Sequence, residues 1–250
     1  DLALEMTKSN DTGVIYKGTN SFIHNFQHPT GGGAVPAGRN TFVGLNAGNF
    51  TMGSTATSTY QASYNSAVGA YALYSNTTGY QNSAIGYSAL RYNTTGSYNS
   101  AIGYSALSSN TTGIHNSAMG YYTLYANTTG SYNSAMGAYA LRYNTTGSYN
   151  SAVGYNALVA NTSGSNNTAL GYVAGGNITT GSYNIIIGDS TDAPSATGNY
   201  QLNIGNTIYG NLSSKRVGIG VTIPSYQLQL STDSAAKPTS NTWTVISDKR

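Results

Sequence analysis

Cysteine is absent from the 250 residues, so neither a disulfide framework nor a thiolate metal site can form. Charge is nearly absent as well: 7% of residues are charged, against ~25% in ordinary globular chains. No Asp or Glu occurs from Thr12 to Gly188, and from Asn40 to Gly188 the only cations are Arg91 and Arg142. A nucleic-acid footprint needs Lys and Arg clustered on one face, so the basic balance implies no nucleic-acid partner. No apolar run approaches the ~20 residues of a membrane-spanning helix. The chain begins with Asp1 and shows no signal peptide, which reads as a processed product or an excised fragment. What is abundant is Gly, Asn, Ser, Thr, Ala and Tyr. With 23 Tyr and a formal charge of +3, the chain lacks the signature of disorder, which is few aromatics and high net charge.

The bias comes from repetition. Asn65-Ser66-Ala67-Val68-Gly69 recurs with Asn at 82, 99, 116, 133, 150, 167 and 184, every 17 residues, with no insertion or deletion. Between copies lies Asn-Thr-Thr-Gly, as at Asn76 to Gly79 and Asn93 to Gly96. A related Asn40-Thr41-Phe42-Val43-Gly44 precedes the array, and a looser Asn203-Ile204-Gly205 follows it. Seventeen residues are too few for helix-pair repeats, which need more than ~30. The reading is all-β: a parallel β-roll or β-solenoid with one coil per 17-residue repeat.

Side chains alternate faces along a strand. Placing the large aliphatics inside gives one core ladder of Val68, Ile85, Ile102, Met119, Met136, Val153, Leu170 and Ile187. It leaves the row Ala67, Ala84, Ala101, Ala118, Ala135, Ala152 and Ala169 facing outward, flat enough to pack on a neighbour. Leu73 follows Val68 by five residues, the wrong parity for one unbroken strand, so a corner is expected at Gly69. Leu73, Leu90, Leu107, Leu124, Leu141 and Leu158 form the second core ladder, interrupted at Gly175. The second corner falls at Asn-Thr-Thr-Gly, whose Asn and Gly tolerate the positive φ that turns require. Two aliphatics per coil make a thin core, and self-association is expected to supplement it.

Candidates for chemistry are few. Asp189 and Asp192 are close in sequence, but Pro194 and Gly198 nearby read as a loop after the last coil, with no cleft for a pair of carboxylates. His24 and His28 have no Cys or acidic partner beside them and read as surface-loop residues, so no metal site and no cofactor are expected. Calcium-binding solenoids carry an Asp in each repeat, which this array lacks. His115 stands where Tyr64, Tyr98, Tyr132 and Tyr149 precede the repeat's Asn, a substitution within a ladder. Tyr87, Tyr104, Tyr121, Tyr155 and Tyr172 follow the repeat's Gly and are the candidate glycan-binding residues; the alternative is that such rows stack on one another and stiffen the coil. Asn-Thr-Thr matches the N-glycosylation pattern at Asn76, Asn93, Asn110, Asn127 and Asn144, a single turn solution copied along the array. Ordered Thr rows could also suggest ice binding, although adjacent Thr77-Thr78 beside Gly79 fits a corner better than a flat face.

The repeated Asn-Ser-Ala-Ile-Gly resembles the repeat of trimeric autotransporter adhesin heads across Asn65 to Gly188. That resemblance implies a left-handed parallel roll assembled as a homotrimer. Here the repeat is longer, and Ser replaces the usual first aliphatic. Toward the C-terminus, Val217-Gly218-Ile219-Gly220, Pro224 to Leu228, Ala236-Lys237-Pro238, Trp243 and Ser247-Asp248-Lys249-Arg250 resemble the entry to the self-cleaving intramolecular chaperone of endosialidase tailspikes and phage tail fibres. The resemblance implies a possible autocleavage junction between Ser247 and Asp248.

Four segments follow: an N-terminal β-rich joint or cap over 1–39, an irregular first coil over 40–64, the regular solenoid over 65–188, and short strands over 189–250 leading toward a chaperone. The expected role is non-enzymatic: an extracellular fibre segment of a phage tail or bacterial surface appendage, acting as a rigid spacer and binder of a surface receptor or glycan.

Overall fold

A computed structural model describes residues 15–17 and 20–231. Among them every regular element is a strand. Strands β1 (Ile15–Lys17) and β2 (Asn20–His24) pair antiparallel, and β2 pairs antiparallel with β3 (Thr41–Val43). From β3 the sheet is parallel through β4 (Ser66–Val68), β5 (Ser83–Ile85), β6 (Ser100–Ile102), β7 (Ser117–Met119) and β8 (Ser134–Met136). It continues through β9 (Ser151–Val153), β10 (Thr168–Leu170), β11 (Ile185–Ile187) and β12 (Gln201–Ile204). Strands β13 (Ile208–Asn211) and β14 (Arg216–Ile219) then add antiparallel, and β15 (Leu228–Leu230) adds parallel to β14.

The parallel stack is a β-solenoid. Each 17-residue coil contributes one three-residue strand, and Ser66, Ser83, Ser100 and Ser117 lie in register. The step from Thr41 to Ser66 carries eight additional residues, while the 17-residue step persists from Ile185 to Leu202, one coil past Gly188. With strands ~4.8 Å apart, every coil hydrogen-bonds the one above and the one below, also outside the strands: Leu73 N–H donates to Ala89 C=O and Leu90 N–H to Ala106 C=O.

The strand faces are the reverse of the sequence expectation. Ala67, Ala84, Ala101 and their successors are buried, whereas Val68, Ile85, Ile102, Met119, Met136, Val153 and Leu170 are each 36–51% exposed. The Leu73-to-Leu158 row is fully buried, as expected. The parity is decided by Asn65 and its equivalents. Asn65, Ala67 and Gly69 share a face, and the Asn side chains are needed inside.

Two ladders of buried amides run up the interior. In the first, Asn65 Oδ1 accepts the backbone N–H of Asn82, Asn82 Oδ1 that of Asn99, and so on to Gln201 on Asn184. In the second, Asn93 Nδ2 donates to Asn76 Oδ1, Asn110 to Asn93, Asn127 to Asn110, Asn144 to Asn127 and Asn161 to Asn144. One corner carbonyl ties the ladders together in each coil: Gly96 C=O accepts from both Asn82 and Asn93, and Gly113 C=O from both Asn99 and Asn110. Buried amides are tolerable only when satisfied, and, Asn161 Oδ1 at the end of the second ladder apart, these saturate one another. Beside them there is room for Leu and for Ala, not for a second aliphatic row.

The corners differ in their reason for glycine. Gly69 has φ +133°, and a Cβ there would lie 2.4 Å from Gly86 O. At Asn-Thr-Thr-Gly the expected positive φ does not occur. Gly79 is required by close approach, since a Cβ would sit 2.4 Å from both Asn76 Oδ1 and Gly96 O. Left-handed backbone appears instead at non-glycine residues such as Tyr71 (φ 61°), Leu73 (φ 53°) and Tyr98 (φ 60°). Each costs on the order of 1–2 kcal/mol and is held by the coils stacked on either side.

Candidate functional site

The outer face of the sheet is the most unusual surface of the molecule. Along it the Ser66-type row alternates with the aliphatic row from Val68 to Leu170, and no charged residue interrupts either. Two tyrosine rows accompany it, one just before each strand and one just after.

The row after the strand contains the residues singled out for glycan binding. Tyr87 and Tyr104 stack at 5.0 Å and 15°, Tyr104 and Tyr121 at 5.3 Å and 24°, and Tyr155 and Tyr172 at 5.3 Å and 11°. At the break left by Ala138, Tyr139 reaches across edge-on to Tyr121 and Tyr155, at 86° and 89°. All five candidates are exposed, yet within stacked runs their faces are turned to one another. The row therefore presents ring edges and hydroxyls laterally. Burial among the neighbouring rings, followed by the adjoining Tyr122 phenol, pushes Tyr104 and Tyr121 above the usual phenol value.

In the row before the strand, His115 lies between Tyr98 (4.6 Å, 4°) and Tyr132 (5.0 Å, 11°), and Tyr132 stacks on Tyr149 at 4.9 Å and 1°. His115 is thus a rung of the ladder. The stack is interrupted at Asn166 and resumes with Tyr183 on Tyr200. At the earlier interruption, Gln81, the ring of Tyr80 fills in between Tyr60 and Tyr98.

The other candidates are occupied locally. Asp189 Oδ1 accepts from the Ser190 hydroxyl, and Asp192 Oδ1 accepts the Asn177 backbone N–H. His24 is not a loop residue, as the sequence had suggested. It is buried, contacts Ala47 C=O through Nε2 at 2.7 Å, accepts the Phe26 N–H at Nδ1, and stacks on Phe50. Burial lowers its pKa, and the bond to Ala47 opposes this only in part. His28 Nδ1 accepts the Gly31 N–H. No group of three or more His, Cys, Asp or Glu is gathered among the described residues. Asn76, Asn93, Asn110, Asn127 and Asn144 are buried rungs, which removes them as glycan acceptors in the folded chain. The first Thr of each corner spends its hydroxyl on the next coil, as Thr77 Oγ1 does on Thr94 C=O. Ser247 and Asp248 lie outside the described residues.

Sequence reasoning missed the exposed aliphatic row because it placed the largest apolar residues inside by default. The signal was available: the positions that hold one residue type through the middle coils are Asn, Ala and Leu, and the one that changes among Val, Ile, Met and Leu faces out. The sequence also passed over the surroundings of Arg91 and Arg142. Arg91 lies 5.0 Å from the Tyr71 ring and 5.1 Å from Tyr92. Arg142 lies 5.4 Å from Tyr122 and 5.0 Å from both Tyr139 and Tyr143. No helix among the described residues is long and apolar enough to cross a membrane. No protein-family model, no curated protein and no solved structure matches this chain.

Proposed function

We propose that the chain is a structural segment of an extracellular fibre, a rigid spacer that assembles as a homotrimer through the outer face of its sheet. The observation that supports this reading is the exposed aliphatic row. Burying it in the coil would have been the ordinary outcome for Val, Ile, Met and Leu, and a free surface leaves it in water in every coil. Five Tyr of the following row at roughly two-fifths exposure add about 400 Å² of ring surface. With the aliphatics, that exceeds the few hundred Å² a monomer ordinarily leaves uncovered. Strong coil-to-coil pairing along the axis and apolar packing across it are what a load-bearing rod requires. A second reading, a glycan-binding solenoid, is favoured by the exposed edges and hydroxyls of Tyr87, Tyr104, Tyr121, Tyr155 and Tyr172.

The test is native mass beside denatured mass, for the chain and for Ile102→Lys/Met119→Lys. These side chains are exposed in the single chain, so the double variant is expected to keep the solenoid's circular dichroism while losing assembly. A parent chain that is monomeric at micromolar concentration, or a double variant that assembles unchanged, overturns the proposal.

A further inference from the structure

We infer that Arg91 and Arg142 are two related anion sites that together hold an acidic polysaccharide. Four features carry this. First, the two guanidinium groups are the only positive charges from Asn40 to Gly188, and no carboxylate lies between Thr12 and Gly188 to pair with them. Second, each Nε is buried without a hydrogen-bond partner. A charged donor shut away from water and left unmatched is costly, by about 1–3 kcal/mol or more. The guanidinium charge is delocalised over its three nitrogens, so an anion at the terminal amino groups would stabilise the charge although it does not reach Nε itself.

Third, most of the surroundings are duplicated, Arg142 having in addition Tyr139 where the first cluster has Ser88. Tyr71, Tyr74, Arg91 and Tyr92 recur 51 residues on as Tyr122, Tyr125, Arg142 and Tyr143, whereas the coil between them has Ser105, Ser108 and Ser109 at the matching positions. In both clusters the first two rings meet edge to face at 74°. The tyrosine walls hold the guanidinium in one orientation by cation–π contact and leave its terminal amino groups to meet a ligand. Rings beside a fixed cation suit a sugar that carries a carboxylate or sulfate, because its apolar face can lie on the ring while its anion reaches the guanidinium.

Fourth, the spacing selects a polymer. Three coils separate the sites by about 14 Å, too far for one small anion to touch both. A chain with repeated anionic groups engages them together, and the second contact is then made at high effective concentration. Two cations do not make the basic stripe that a nucleic acid requires, so the charged saccharide is the partner that fits.

The experiment is binding of fluorescent polygalacturonate, dextran sulfate and neutral dextran to the full chain at low and moderate salt. Arg91→Gln, Arg142→Gln and the double variant are compared with it, and each sample's native mass and circular dichroism are recorded. Expected is binding of one or both acidic polymers and none of neutral dextran. Either single variant should weaken binding tenfold or more, and the double variant should abolish it, with mass and spectrum unchanged. The carboxylated and sulfated arms distinguish which anion the sites prefer. Arg142→Lys, which keeps the charge without the planar stack, should recover only part of the loss. Equal binding by the double variant overturns the inference, as does binding to neutral dextran or tighter binding of a single-stranded oligonucleotide. So does failure of the parent chain to bind either acidic polymer. A change in native mass on Arg substitution would place the clusters in the assembly contact and also overturn it. That readout keeps this inference separable from the fibre proposal.

Discussion

The middle coils and the two ends of the solenoid fill the same interior cross-section with different chemistry. From Asn76 to Asn144 each coil packs one Leu, small residues and two satisfied Asn amides. At the C-terminal end Gly175 replaces the Leu, Ile178 replaces the second-ladder Asn, and Ile186 replaces the strand Ala. At the N-terminal end the swap recurs: Phe42 stands at the strand Ala position, and Gly48, against its ring, at the Leu position. Met52 sulfur takes the Nδ2 of Asn76, where no further Asn precedes it. A polar ladder can be copied indefinitely, but its last member has no partner. Asn161 Oδ1 is buried and unbonded beneath Ile178. The ends therefore change to apolar side chains of complementary size, as a repeat array must cap its terminal surfaces differently from its interior.

The largest expected effect is the difference between a middle rung and the last one. Asn110→Ala removes the donor to Asn93 Oδ1 and the acceptor for Asn127 Nδ2, and it leaves a void. At about 1–3 kcal/mol per buried group left unmatched, a loss of about 3–4 kcal/mol is expected in chemical unfolding. Asn161→Ala strands Asn144 Oδ1 but deletes an oxygen that is already unmatched, and Gly164 C=O keeps its bond from Asn150. About 1–2 kcal/mol is expected there. Equal losses at the two positions would show that the ladder is not cooperative and that the comparison fails.

A second contrast exchanges the two chemistries outright. A Cβ at Gly175 would meet Leu158 Cδ2 at 3.0 Å, Ile178 Cδ1 at 3.4 Å and Ile186 Cγ1 at 3.5 Å. Gly175→Leu alone should therefore overpack the site and cost about 1–3 kcal/mol. Combined with Ile178→Asn and Ile186→Ala it restores the middle-coil arrangement, with φ +63° already matching the +52° of Leu158. The triple variant is expected to recover most of the loss, read by thermal unfolding. No recovery would mean that the end is set by the strands beyond it.

Part of this architecture is legible in the residues alone. The coil length, the parallel stack and the buried Leu73 row are legible from spacing and residue type. A corner does lie at Gly69, but the parity argument for that corner assumed Val68 inside and fails with it, since Ala67 and Leu73 are six residues apart. The inside of the strand did not, because hydrophobic burial is a weaker rule here than amide satisfaction: Asn65 must be inside, and alternation then carries Ala67 in and Val68 out. The candidate surface was misplaced for the same reason. The Arg91 and Arg142 clusters were legible as positions but not as sites, since Tyr71 and Arg91 are 20 residues apart and meet only once the coils stack.

The N-terminal end differs from the rest in carrying a titrating group inside. His24 is buried against Phe50 and its pKa is lowered by burial, so the folded form favours the neutral ring. The unfolded form then binds more protons below the ordinary histidine value, and stability falls as pH drops through about 6.5. Acidification from pH 7.5 to 5 should therefore lower the amide protection factors around β2 and β3, corrected for the slower intrinsic exchange at low pH, while those of the middle coils, with no titrating group inside, stay unchanged. Uniform loss across the molecule would refute the local assignment to His24.

The smallest effect is expected at the break in the outer stack. Asn166 separates Tyr149 from Tyr183, and its φ of 58° equals the 58° that Tyr132 and Tyr149 already adopt. Asn enters left-handed backbone more easily than Tyr, so Asn166→Tyr gives up conformational preference. In return it gains two ring contacts worth about 0.5–1.5 kcal/mol each, at the spacing near 4.9 Å seen for Tyr132–Tyr149 and Tyr183–Tyr200. A net gain of about 0.5–1 kcal/mol in unfolding free energy is expected, with reduced amide exchange at Tyr149 and Tyr183. If the variant is destabilised instead, ring stacking does not repay the strained backbone, and the tyrosine rows are kept for what they present to a partner rather than for stiffness.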